Sequence, residues 1–448
     1  MRMKSGLLAL CLALGAGDAP AAEMFQSVRS PGGLPFWYLR REEEPRAIVV
    51  GSFLDAFALD HPDKISAPLV GSSMMDEGPK GMTAGEYNES LKDVQARCGV
   101  SSGPMASTFT VESRAPDLGE ALDVCFRVVT EPALRDRDFE RLRKSTVTSR
   151  ARMESNPGAL SGYLMRRLTW AAVPFSRWNE PEEIAKITAA DVELWRREVF
   201  TRGNLVVVAV GAPGAAEFGA MIDRTFGKLP EGTPAADRKA PPPAYPGKTI
   251  VLERPVEQTA LAIEGWIPVE SAEVQAATIG NNVLGGGMDR RLGRAVRGEQ
   301  GATYGISSGL GLLAPGLRTF GVRSALANDL APAALKRVRE EVERWRKDGV
   351  SEEETAAARG QLASSFEKSL ESPGGKALTL VTMLRSNRTA EDEALYIDRL
   401  RATPTPEINR VVRERTPATL TTLIIAPKAD GFGADCVIHA VNEIETCR

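Results

Sequence analysis

The sequence predicts an α+β fold assembled from two copies of one unit. Three observations predict it. Short apolar strand-like runs interleave with amphipathic helical periods along the whole chain. Residues 229–248, LPEGTPAADRKAPPPAYPGK, are rich in Pro, Gly and charge, cannot bury a core, and read as a linker. Features on either side of that linker recur about 212–216 residues apart. Asp117-Leu118 before a helix corresponds to Asp329-Leu330. Asn156-Pro157-Gly158 after a long charged helix corresponds to Ser372-Pro373-Gly374. Ile187-Thr188-Ala189 corresponds to Thr403-Pro404-Thr405, each leading to a helix and an apolar strand, 205–210 and 420–425. The expected division is a signal peptide at 1–22, a first unit at 23–228, the linker at 229–248, and a second unit at 249–448.

The elements follow in order. Arg2 and Lys4 precede an apolar run, 7–14, and small residues ending at Ala22. That is the pattern of a cleaved secretory signal, and the run is too short for a permanent membrane helix. Cys11 lies inside it, after Leu10 rather than after a small residue, so a lipoprotein signal fits poorly. The mature chain is expected in a bacterial periplasm. Residues 37–39 and 47–53 read as strands and 64–75 as a helix. Thr83 with Glu86 forms a capping box that opens a helix through Cys98. A strand is expected at 106–112, then helices at 118–130, 135–154, 157–169 and 191–199. In the second unit the charged run 336–347 carries Leu335, Val338, Val342 and Trp345 at helical spacing, an amphipathic helix with a solvated face.

Composition narrows the function classes. The chain has 448 residues, a net charge of −3 and 43% hydrophobic residues, an ordinary globular profile. Nothing in that balance calls for nucleic acid or an anionic membrane, and no second segment is apolar enough to span a bilayer. Beyond Cys11 there are four cysteines, and an oxidising compartment permits disulfides. Cys436 and Cys447 are neighbours in the tail and are expected to pair. Cys98 and Cys125 lie on apolar helical stripes, so a second disulfide and two buried thiols remain alternatives.

The stretch 284–305, LGGGMDRRLGRAVRGEQGATYG, carries the chemistry. Met288, Leu292, Ala295 and Val296 have the spacing of a buried helix face, with Asp289 near the helix start. Arg297 falls at the helix end. Gly298 and Gly301 break it, and a strand is expected at 302–308. A cation and a phenol, Tyr304, thus leave adjoining elements across one tight turn. Gly285, Gly286 and Gly287 lack the following Lys-Ser/Thr of a phosphate loop and read as a helix break with close backbone approach. Structure alone explains parts of this: Arg suits a last helical turn, and Tyr is common in strands.

In its order of loop, helix, Arg and Tyr this stretch resembles the second half of the M16 zinc peptidases, the family of pitrilysin and the mitochondrial processing peptidase. The resemblance implies two homologous halves, each a mainly antiparallel sheet packed with helices. It implies that Arg297 and Tyr304 bind substrate main chain and stabilise the oxyanion of peptide hydrolysis, with Gly285, Gly286 and Gly287 lining the substrate site. A charged guanidinium and a neutral hydroxyl suit that role.

The family's zinc motif, His-x-x-Glu-His, is excluded here, because the chain has two histidines, His61 and His439, one in each half. Counting back from Met74-Met75-Asp76-Glu77-Gly78 places Leu69, Ser72 and Ser73 at the family's ligand and base positions. The distal acid would fall near Ser149. None of these is a good zinc ligand. His61, in Asp60-His61-Pro62-Asp63, reads as a turn residue. No cofactor is expected in this chain. The resemblance implies that zinc resides in a partner subunit bearing His-x-x-Glu-His, and that this chain is the non-metal-binding subunit of a heterodimeric peptidase, inert alone. An inert scaffold of the same fold and a peptide-binding protein using a sheet edge are the alternatives.

Overall fold

Two six-stranded sheets organise the chain. The first contains β1 (Gln26–Arg29), β2 (Pro35–Arg40), β3 (Arg46–Leu54), β4 (Arg97–Ser102), β5 (Ala106–Arg114) and β6 (Leu205–Gly211), in the order β1-β2-β6-β3-β5-β4. The second contains β7 (Thr249–Glu253), β8 (Gln258–Ile267), β9 (Ile306–Ala314), β10 (Leu317–Ala327), β11 (Thr421–Ala426) and β12 (Cys436–Ile438), in the order β12-β7-β11-β8-β10-β9. This computed structural model describes residues 25–448 except 104, 172–173, 235–243, 315–316 and 387. The expected signal segment and the middle of the linker lie outside the described residues.

Five strands of each sheet share one topology. Strand β2 or β7 runs parallel to β6 or β11. Strand β6 or β11 pairs antiparallel with β3 or β8, which pairs antiparallel with β5 or β10, and β4 or β9 forms the far edge. Only the outermost strand differs: β1 is antiparallel to β2, whereas β12 is parallel to β7. The repeat in the sequence is therefore a repeat of topology. Central strands read as continuous apolar runs, as in IVV of β3 and LIIA of β11, because both faces are covered.

One face of each sheet packs on helices of its own half. Phe53, Phe109, Phe126, Trp195, Phe200 and Phe226 fill the first core. In the second, Phe320 stacks on Trp345 at 5.6 Å, and Trp345 Nε1 donates to the Gly280 carbonyl at 2.9 Å. The other faces are covered by exchanged helices. Pro157–Thr169 lays Leu160, Leu164, Met165 and Leu168 on Ile250, Leu252, Ala260, Ala262, Leu423 and Ile425 of the second sheet. Pro373–Arg385 lays Ala377, Leu380 and Val381 on Ile48, Val50, Val208 and Val210 of the first. Both helices start with Pro, and each has a side-chain cap: Asn156 accepts from the Ala159 N–H and Ser372 from the Gly375 N–H, both at 3.0 Å.

Several element ends differ from expectation. The Thr83 capping box is present, but its helix is Ala84–Asp93 and ends before Gln95, whose φ is 45°. Cys98 consequently lies on β4 opposite Val111, not on the helix. The 64–75 helix begins at Ala67, and the 135–154 helix is Asp136–Ala151 followed by a tighter turn, Arg152–Ser155. Among the described residues no helix is long and apolar enough to cross a membrane.

Candidate functional site

The site starts at the C-terminal end of the helix Val274–Gly285. Asn281 Nδ2 donates to the Ser308 carbonyl at 3.3 Å, and Ser308 Oγ donates to the Asn281 carbonyl at 3.1 Å, stitching the helix end to β9. A Cβ on Gly285 would sit 2.5 Å from the Ser308 nitrogen, so this position takes no larger residue without a backbone shift. Gly285 is buried, while Gly286 and Gly287 are half-buried on the following turn. Gln361 Nε2 donates to the Gly286 carbonyl at 3.0 Å.

A π-helical turn, Gly293–Glu299, follows. Leu292, Ala295 and Val296 are buried as expected, but Met288 lies in the preceding turn and is 59% exposed. It precedes the helix, so the helical period does not carry it to the core. Arg291 grips Glu354 with two bonds of 2.6 Å and the Gly349 carbonyl at 3.0 Å. Arg290 donates to Gln361 Oε1 at 2.6 Å and to the Ala357 carbonyl at 3.1 Å. These two arginines fasten the segment to the helix Glu352–Ser369. Arg297, on the same segment, is exposed, and among the described residues no hydrogen bond or ion pair engages its guanidinium. π-helical turns occur frequently at functional sites.

Tyr304 sits before the strand rather than in it, because β9 begins at Ile306 and not at 302. The backbone on both sides is pinned to β10. Ala327 N donates to the Ala302 carbonyl at 2.9 Å. Thr303 Oγ1 donates to the Ala325 carbonyl at 2.7 Å and accepts the Gly305 N–H at 3.0 Å; Ser324 Oγ donates to the Gly305 carbonyl at 3.0 Å. On this fixed base the Tyr304 side chain is 88% exposed, and no described residue bonds its hydroxyl. Stability gives no reason for that placement, since burying a large apolar side chain contributes on the order of 2 kcal/mol. Thr303 and Ser324 were not singled out from the sequence. Polar residues flanking Tyr304 were the available signal.

The degenerate metal positions lie in the first half, on the helix Ala67–Met75. Ser72 Oγ and Ser73 Oγ both donate to the Leu69 carbonyl, at 3.0 and 3.2 Å, so their hydroxyls close onto their own helix turn. Nearby, burial pushes the Asp76 carboxyl up, and Glu77 is held by Arg141 at 2.7 Å. Ser149 is exposed on Asp136–Ala151. His61 packs on Phe57 and contacts Glu198 at 2.8 Å; His439 stands 3.5 Å from Glu253. Among the described residues no three His, Cys, Asp or Glu side chains group to hold a metal ion. The donor set at Leu69, Ser72 and Ser73 does not fit zinc, which takes imidazole, thiolate or carboxylate ligands.

The cysteines are placed in two joined pairs. Cys98 on β4 meets Cys125 on the helix Leu118–Thr130, with Cα atoms 6.0 Å apart. Cys436 on β12 meets Cys447 in the last turn, with Cα atoms 5.7 Å apart.

Comparison with known proteins agrees with this architecture. Residues 186–362, which include Arg297 and Tyr304, match the family model described as the peptidase M16 inactive domain. An uncharacterised zinc protease of Streptomyces coelicolor is 24% identical over 329 residues, 70% of each chain. The solved structure of a peptidase M16 inactive domain from Pseudomonas fluorescens superposes with a TM-score of 0.83 at 20% identity, covering 90% of this chain and 98% of that one. The periplasmic protease PqqL of Escherichia coli superposes with a TM-score of 0.74 at 16% identity, covering 93% of this chain, which spans 48% of PqqL. Residues 186–362 are thus similar to the inactive domain of M16 peptidases, and the chain shares its two-sheet fold with solved M16 structures.

Proposed function

We propose that this protein is the non-metal-binding subunit of a heterodimeric M16 peptidase in the periplasm. In this reading Arg297 and Tyr304 reach over a metal held by a second chain bearing His-x-x-Glu-His. Arg297 binds the substrate main chain, and the Tyr304 hydroxyl donates to the oxyanion that forms when the peptide carbonyl is attacked. Gly286 and Gly287, the two glycines of the trio that are not fully buried, let a peptide backbone approach the helix end.

The observation that carries the reading is an 88%-exposed tyrosine, unengaged among the described residues, on a backbone held at both neighbours, seven residues after an equally unengaged arginine. Preorganised donors of this kind are what oxyanion stabilisation needs, because they cost no reorganisation during the reaction. A scaffold has no use for them. The disulfide pairs and the amino-terminal segment support export. The test is affinity purification of the tagged chain from a periplasmic extract, with peptidase assays on the chain alone and on the recovered complex. A second chain with the His-x-x-Glu-His motif, and activity only in the complex, is the expected result. Recovery of the chain alone, with no gain in hydrolysis when a motif-bearing homologue from the same source is added, rejects it.

A further inference from the structure

Two cavities lie at equivalent places in the internal repeat. One, of about 990 Å³, opens beside the exchanged helix Pro157–Thr169, with the β7–β8 turn and the C-terminal tail forming its other walls. The other, of about 490 Å³, opens beside the exchanged helix Pro373–Arg385. The caps Asn156 and Ser372 align the two helices. In that alignment Arg150, Arg166 and Arg167 line the first cavity where Phe366, Thr382 and Met383 line the second. The architecture is thus built once with apolar and neutral side chains at these places, so it does not itself require three arginines.

Among the described residues two of the three form no salt bridge, although the Glu180 charge reaches Arg166. Arg150 Nη1 meets the Met153 sulfur at 3.2 Å and no carboxylate. Arg166 Nη2 donates to the Trp178 carbonyl at 2.9 Å, its guanidinium stands 5.9 Å from the Tyr163 ring centre, and its Nε is buried with no acceptor. Burial holds both guanidiniums below their ordinary range; on Arg166 Tyr163 and Glu180 oppose the shift and the Arg150 charge adds to it. Three acids of the cavity already have partners, two of them within its own wall. Glu154 faces Arg254 at 3.8 Å, Glu180 faces Arg167 at 3.4 Å, and Glu253 accepts the Ala429 N–H at 2.7 Å. Glu182 also lines the cavity, and no salt bridge engages it among the described residues, so it opposes an anion most directly. Burial pushes the Tyr163 hydroxyl up to about 12, which keeps it a neutral donor.

An unsatisfied buried donor costs about 1–3 kcal/mol, more when charged, and paired guanidinium forks match an oxyanion. We propose that this cavity binds the carboxylate of a ligand, with Arg150 and Arg166 as its anchors. The site is separate from the Arg297–Tyr304 surface and stands without the peptidase reading. Its size, at the upper end of small-ligand pockets, admits either a free dicarboxylate or the terminal carboxylate of a short peptide.

Titration calorimetry on the full mature chain tests the proposal with three probes: succinate, pentaalanine, and pentaalanine amide. Binding of succinate identifies a free dicarboxylate, and binding of pentaalanine but not its amide identifies a peptide terminus. In either case Arg150→Gln and Arg166→Gln should each weaken binding about tenfold or more, the scale of one charged hydrogen bond. Arg150 is only half-buried, so its variant keeps the test open if Arg166→Gln fails to fold. Absence of binding to both carboxylate probes, equal binding of peptide acid and amide without succinate binding, or unchanged affinity in Arg150→Gln overturns it.

Discussion

Tyr304 and Arg297 are the residues on which the functional reading turns, and each makes its own prediction. Tyr304→Phe removes one hydroxyl and keeps the ring, which touches too little to matter for the fold. In the reconstituted heterodimer kcat should fall roughly 10²- to 10³-fold with KM little changed, because the bond belongs to the transition state. A change within about twofold, far below the scale of one lost donor, would return the chain to the scaffold reading. Arg297→Lys keeps the charge and loses the planar fork, so KM should rise as kcat falls. The order and spacing of these residues were legible in the sequence because they lie in one stretch, and the family resemblance rested on that. What holds them was not. Ser324 and Glu354 act from 19 and 63 residues away, and such pairings exist only after the sheet and helices have packed.

Element types were legible from periodicity, while element ends were set by local contacts. The helix opened by Thr83 was read too long because Cys98 continued an apolar period that Gln95 breaks. The sequence places the start of the helix after Gly287 at Met288 because Met288 continues the apolar period of Leu292, Ala295 and Val296, but the chain turns helical only after it. The close approach of Gly285 makes a direct prediction. Gly285→Ala should destabilise the protein by about 1–3 kcal/mol, since its Cβ would press on the Ser308 backbone and overpacking of a rigid neighbour costs that much. Gly298→Ala, where a Cβ meets nothing within 4 Å, should be close to neutral and serves as the control. Denaturant melts of both variants decide it, and equal midpoints reject the packing role. The tail element adds another. Cys436 and Cys447 are 11 residues apart, and closing so short a loop stabilises by about 2–3 kcal/mol. Protein from an oxidising compartment should yield one cross-linked tail peptide on non-reducing mapping, and free alkylatable thiols at both positions would sink that pairing.

At the scale of the molecule, the proline-rich linker suggested two units in series, and the exchanged helices make them one. The internal repeat was visible because each exchanged helix begins with a capped Pro-Gly pair, but nothing in the sequence says which sheet the helix will cover. Leu160, Leu164 and Leu168 are apolar at helical spacing whichever sheet receives them. The inactive-domain match, at 186–362, likewise runs across the linker instead of stopping at it. Cooperative unfolding follows. Leu164 and Leu380 are both fully buried, each on a helix from one half packed on the sheet of the other. Replacing either by Ala should cost about 2–5 kcal/mol, and the loss should spread to both halves. Hydrogen exchange should show reduced protection in β3 and β6 as well as in β8 and β11 for Leu164→Ala, although that helix touches only the second sheet. Calorimetry should show one transition for the wild type and one for the variant. Two resolved transitions, with Leu164→Ala lowering only one of them, would mean that the halves fold independently and that the exchanged helices merely rest on their host sheets.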